Sequence, residues 1–194
     1  MRVQAIICLA LMMLLPTMLL AVDKDVAAAI SMADNDGNAP DTLLVERITA
    51  EKGAGVALKI QFFNDEELAA LTIPLSVKGT GYSIDSVSFA GSRVEYLSMR
   101  PVTIKENKKE VVFGAIVMTE DYIPVGRGLM ATLFLSPTGE NSEPITIDTT
   151  TIGPATVLFT RTSSASFVPH FVSGEVSPEM ASGDKAPESD TSGK

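Results

Sequence analysis

The sequence predicts an all-β fold, an antiparallel β-sandwich with jelly-roll topology, on three observations. Apolar residues recur at every second position through most of the chain between residues 42 and 176. The alternating segments are short, and Gly, Pro, Asn and Asp interrupt them at regular spacing. Only one short acidic stretch, residues 65–70, reads as a candidate helix, and it serves equally well as a loop. Alternation puts one face of a strand on a core and the other toward water. Many short strands joined by Gly/Pro turns make a sandwich or a jelly roll.

The elements follow in order. Residues 43–49 form an opening strand, ended by Lys52-Gly-Ala-Gly55. In the next strand Val56, Leu58, Ile60 and Phe62 alternate with Ala57, Lys59 and Gln61, up to the break at Asn64-Asp65. Leu71, Ile73, Leu75 and Val77 then alternate with Thr72, Pro74, Ser76 and Lys78. Pro74 has no N–H for a ladder and so predicts a sheet edge or a bulge. Gly79-Thr-Gly81 leads into residues 83–89, and Ala90-Gly-Ser92 into a long strand over 94–104. Residues 111–118 and 129–135 are more continuously apolar, which predicts central strands covered on both sides. Ile145 and Ile147 alternate with Thr146 and Asp148, and residues 156–161 and 167–176 complete the set. The remaining breaks, Gly126-Arg-Gly128, Pro137-Thr-Gly139 and Gly153-Pro154, are turn chemistry.

The flanks read differently. Arg2, an unbroken apolar run over residues 5–15, Pro16 and the small residue Ala21 stand in the order of a secretory signal peptide. Residues 22–41 read as a flexible linker and 177–194 as a disordered acidic tail, too poor in apolar residues to offset ordering entropy. The expected location is therefore secreted or periplasmic, with no membrane association after signal cleavage. Cys8 is the one cysteine and lies inside the apolar run, so the mature chain has no disulfide, thiolate metal site or cysteine nucleophile. With 24 acidic against 15 basic residues, and no basic run, nucleic acid is excluded as a partner.

The strand layout resembles that of the cohesins. The similar segments are the opening strand, the long strand 56–64 and the apolar strand 68–78. Next come Ile84-Asp-Ser-Val-Ser-Phe-Ala-Gly91, Gly128-Leu-Met-Ala-Thr-Leu-Phe-Leu135 and the closing Phe171-Val-Ser-Gly-Glu-Val176. The resemblance spans residues 41–177. It implies a jelly roll of about nine strands and a module that binds a protein partner through one sandwich face. For cohesins that partner is a calcium-loaded dockerin, commonly in assemblies that degrade polysaccharide. Related sandwiches bind carbohydrate, so the fold alone leaves carbohydrate and an envelope-subunit role as alternatives.

No residue set points to catalysis. His170 is the sole histidine and comes with no nucleophile or orienting acid. The acidic pairs Asp65-Glu66-Glu67 and Glu120-Asp121 read as solvated loop residues, and Gly53, Gly55, Gly126 and Gly128 as turn glycines. Asp34-Asn-Asp-Gly-Asn38 opens like a Ca²⁺ loop, but its sixth and twelfth positions are Ala39 and Val45. No cofactor is expected, with Ca²⁺ the one ion this stretch suggests. There is no Trp, and Tyr82, Tyr96 and Tyr122 are too few for a flat polysaccharide platform. Thr72, Ser76 and Lys78, on the polar side of one strand, are the candidate partner-face residues.

Overall fold

The computed structural model describes residues 40–139 and 143–179. The signal peptide, the linker up to residue 39, the Asp34–Asn38 stretch and the tail from residue 180 lie outside them. The described residues hold thirteen strands and no helix. In chain order these are β1 (Thr42–Val45), β2 (Arg47–Ala50), β3 (Val56–Asn64), β4 (Leu68–Lys78), β5 (Tyr82–Ser88), β6 (Val102–Ile104) and β7 (Glu110–Ile116). They continue as β8 (Gly126–Pro137), β9 (Ile145–Thr149), β10 (Leu158–Arg161), β11 (Ser166–Phe167), β12 (His170–Val172) and β13 (Gly174–Pro178). One sheet has the order β12-β1-β3-β8-β5. The other runs β11-β10-β4-β9-β13-β2, with β7 and then β6 added on the far side of β4.

The alternation does what it predicts. Val56, Leu58, Ile60 and Phe62 from β3 face Leu71, Ile73, Leu75 and Val77 from β4 across one core, joined by Phe113, Ile147, Phe159 and Leu133. Each such side chain, fully buried, contributes about 1.5–3 kcal/mol relative to exposure. Phe62 and Phe159 meet edge to face at 6.2 Å. The buried Tyr82 satisfies its hydroxyl by donating to Ala54 O at 3.1 Å.

The sheets are mixed and not purely antiparallel, which corrects the expectation. β1 pairs in parallel with β12, and β2 with β13. The opening strand breaks at Glu46 and passes from one sheet to the other, and the closing segment does the same before Gly174. This splitting raises the strand number from about nine to thirteen. The final strand also runs to Pro178, into the stretch expected to be tail. Asp41, assigned to the linker, is buried; its carboxylate accepts the Asp65 N–H at 2.9 Å and its carbonyl accepts the His170 N–H at 2.7 Å.

Three further expectations change. The candidate helix at 65–70 is a bend that enters β4 at Leu68. Residues 94–101 hold a turn and irregular chain with one isolated bridge, Met99 to Ile116: Ser92, Glu95 and Leu97 donate to carbonyls three residues back, and Val94 and Leu97 bury at a spacing of three. Pro74 is neither at a sheet edge nor in a bulge. One edge of β4 pairs continuously with β7, while the other pairs with β10 up to Thr72 and with β9 from Leu75. Pro74 falls in the gap between those two partners, where its missing N–H leaves no ladder bond unmade.

Two tests follow from this packing. A Cβ on Gly114, in β7, would collide with the Leu71 carbonyl. Gly114→Ala is therefore expected to cost about 1–3 kcal/mol by overpacking, read by chemical denaturation. Asp41 has a raised pKa, caused first by burial and then by the neighbouring Asp65 charge, against lowering by its hydrogen bond. Its favourable contribution is thus present below the unfolded pKa and lost as pH rises through the folded value. Asp41→Asn should gain in melting temperature over the native chain as pH rises through the carboxylate range, then hold that gain to neutrality.

Candidate functional site

Strand register fixes which side chains share the outer face of the larger sheet. Along β4 these are Ala70, Thr72, Pro74, Ser76 and Lys78, the residues between the buried Leu71, Ile73, Leu75 and Val77. Val112, Gly114 and Ile116 of β7 stand opposite Pro74, Thr72 and Ala70, and Glu110 stands opposite Ser76. On the other side Leu158 is level with Thr72, and Asp148 and Thr146 are level with Ser76 and Lys78. Glu175 and Arg47 extend the Lys78 row.

The face is divided. Its half nearer β10 and the start of β4 is apolar, with Ala70, Val112, Ile116 and Leu158 all half-buried around the bare backbone of Gly114. Its other half is charged, with Glu110, Lys78, Asp148, Glu175 and Arg47. An apolar centre beside a polar margin is the anatomy of a protein interface.

The three residues singled out in the sequence do lie on this face, but not as one patch. Lys78 pairs with Asp148 at 2.5 Å, and Ser76 Oγ is 3.5 Å from the Asp148 carbonyl. Hydrogen bonding to Lys78 lowers the Asp148 pKa. With the Lys78 side chain 60% exposed, this pair contributes about 0–1 kcal/mol, so it shapes the surface more than it holds the fold. Thr72 stands apart, in the apolar half, beyond Pro74.

Val112 and Ile116 were missed because the continuous apolar run over 111–118 reads as a strand covered on both sides. Their outward side chains are only half-buried, so the run reflects an apolar outer face that the described residues cover in part. Leu129–Leu135 behaves the same way on the smaller sheet, where Phe134 is exposed. The signal was present as a failure of alternation in a half-wet sheet.

The remaining candidates have structural duties. His170 is exposed on β12, level with Thr42. Arg161 Nε lies 2.9 Å from Glu66 Oε2, a charge contact without hydrogen-bond alignment, and the guanidinium stacks on Phe167. Gly126 and Gly128 are strand residues, not turn glycines: Arg93 packs where a Gly128 side chain would stand. Arg93 donates to Asn64 Oδ1, Gly126 O and Pro124 O and lies 4.3 Å over Phe62, closing one end of the sandwich. Among the described residues no three His, Cys, Asp or Glu side chains are grouped to hold a metal ion.

Glu120 organises the loop after β7. Its carboxylate accepts the N–H groups of Ser98, Met118 and Thr119 at 2.9, 3.1 and 3.0 Å. Hydrogen bonding, first from the Ser98 side chain and then from the backbone N–H groups of Thr119, Ser98 and Glu120 itself, holds its pKa well below the usual carboxylate range. A depressed pKa contributes order above the unfolded value and loses it as pH falls through the folded one. Glu120→Gln should therefore speed hydrogen exchange at Ser98, Met118 and Thr119 at neutral pH, with little effect on the core amides.

No protein-family model matches the sequence, and no curated protein matches it significantly. Solved structures do match in fold. The seventh ScaB type I cohesin of Pseudobacteroides cellulosolvens superposes with a TM-score of 0.62 at 15% identity, over 75% of this chain and 96% of that one. A cohesin from a type I cohesin–dockerin complex of Clostridium thermocellum gives 0.61 at 12% identity, over 72% and 99%. A non-cellulosomal cohesin of the archaeon Archaeoglobus fulgidus gives 0.57 at 13%, over 73% and 93%. The chain has the cohesin fold.

Proposed function

We propose that this chain is a non-catalytic, exported protein-binding module that recognises its partner through the outer face of the larger sheet. The observation that carries the reading is the division of that face. Val112, Ile116, Ala70 and Leu158 offer apolar area on a rigid sheet, and Lys78, Asp148 and Glu110 border it. Such a surface lowers binding cost because its backbone is already ordered. Cohesin–dockerin complexes among the structures of similar fold make a dockerin-like module the first partner to try. Export rests on the signal-peptide order of residues 1–21; the matching observation is a secreted chain beginning at Val22.

Tyr96 and Tyr122, both exposed on one loop rim, favour one further reading, a carbohydrate ligand there. Retention on a polysaccharide gel that disappears with Tyr122→Ala would support it.

Val112→Glu combined with Thr72→Lys changes the face without touching the core. Against a panel of calcium-loaded dockerins and the native secretome, this variant is expected to lose partner affinity about tenfold or more, as interface-centre substitutions do. Phe134→Glu, on the smaller sheet, is expected to bind normally. Loss with Phe134→Glu alone would move the interface to the other sheet, and no partner for any form would defeat the proposal.

A further inference from the structure

Five of the eight large hydrophobic side chains exposed among the described residues lie on two adjoining loops. Tyr96 and Met99 are in the loop between β5 and β6; Met118, Tyr122 and Val125 are in the loop between β7 and β8. The loops are locked together. The Tyr96 hydroxyl donates to Asp121 O and Tyr122 O, Ile116 N–H donates to Met99 O, and Glu120 gathers amides from both. Val94, Leu97 and Ile123 anchor them in the core. Apolar groups so displayed stand on two hydrogen-bonded loops, and exposed apolar side chains gathered on one part of a surface mark an interaction site.

Charge selects the partner. The cations on or next to these loops lie over aromatic rings: Arg93 over Phe62, Arg100 5.7 Å from the Phe89 ring centre and Arg127 5.8 Å from that of Phe63. The carboxylates stay outside. Glu95 and Asp121 are exposed in the loops themselves, and exposed Glu67 adjoins the Leu68–Ile123 bridge. The rim is thus apolar and aromatic with an acidic margin.

We propose that this rim binds a basic amphipathic segment of a protein partner. Its Lys or Arg groups meet the carboxylates and the tyrosine faces, which attract cations. Its apolar side chains cover Met99, Met118 and Val125. The surface adjoins the sheet face where Met99 bridges Ile116.

The test titrates the full chain with an amphipathic lysine–leucine peptide, alongside glutamate–leucine and lysine–serine counterparts. Only the lysine–leucine peptide is expected to bind, more weakly at high salt. Met118→Ser with Tyr122→Ser, both exposed and outside the core, should lower its affinity about tenfold or more. Val112→Glu should leave it unchanged, which separates this proposal from the sheet-face reading. Equal binding by either control peptide, or no change in the double variant, would overturn it. So would self-association that the double variant abolishes, since the occupant would then be a second copy.

Discussion

The structure depends on the parallel pairing of its opening and closing segments. β1 lies beside β12 in one sheet and β2 beside β13 in the other, so the two segments cross between sheets side by side. The crossing needs close backbone approach. A side chain at Gly174 would strike Val45 and the Glu46 carbonyl, and glycine is what the site admits. It also interrupts the ladder at Glu46. The Glu46 N–H still donates to Lys59 O at 3.0 Å, and its carboxylate accepts the Lys59 N–H at 3.1 Å. A buried acid is tolerable here because it is hydrogen-bonded to the backbone it would otherwise leave unpaired. With this side stitched, the apolar faces of both sheets enclose one core.

The opposite side is closed by different means. The chain leaves β5 and reaches β6 through turns, and their Val94, Leu97 and Phe89 cover the gap. Phe89 meets Phe113 edge to face. Arg93 fills the end, its charge spread over two backbone carbonyls, Asn64 and the Phe62 ring. Asn64 is wholly buried and donates to Glu66 O and Pro124 O at 2.7 and 2.9 Å while its Oδ1 accepts from Arg93, so its side-chain amide is fully paired. The loops beyond it are rigid because they are fastened to that plug and to Glu120. Both closures lie at the sides and ends of the sandwich. Among the described residues nothing covers the outer face of the larger sheet or the loop rim, the two surfaces proposed to meet partners.

Much of the core was legible in the sequence, and the reason is local. In β3 and β4 a side chain's facing is set by its parity along the strand, so Leu58, Ile60, Leu71 and Ile73 could be assigned inward without knowing any partner. The polar set Thr72, Ser76 and Lys78 followed from the same parity. The proposed partner face was less legible. Val112 and Ile116 look like core residues in sequence, since apolar character does not say whether anything covers it. Their partial burial reflects the absence of a further layer over β7 among the described residues. Residues 94–104 misled for a related reason: Val94 and Leu97 are apolar because they bury, but the hydrogen bonds that bury them run within turns.

The sequence by itself determined the all-β class and the inward and outward faces of the alternating strands such as β3 and β4, because these depend on neighbours along the chain. It also set the acidic charge, which is a property of composition. Tertiary structure alone decided the parallel closure, the switch of β4 partners at Pro74, the burial of Asp41 and Glu46, and the pairing of Lys78 with Asp148. It likewise brought Tyr96, Met118 and Tyr122 into one rim. Each of these joins residues distant in sequence, and no local pattern records which distant segments will meet.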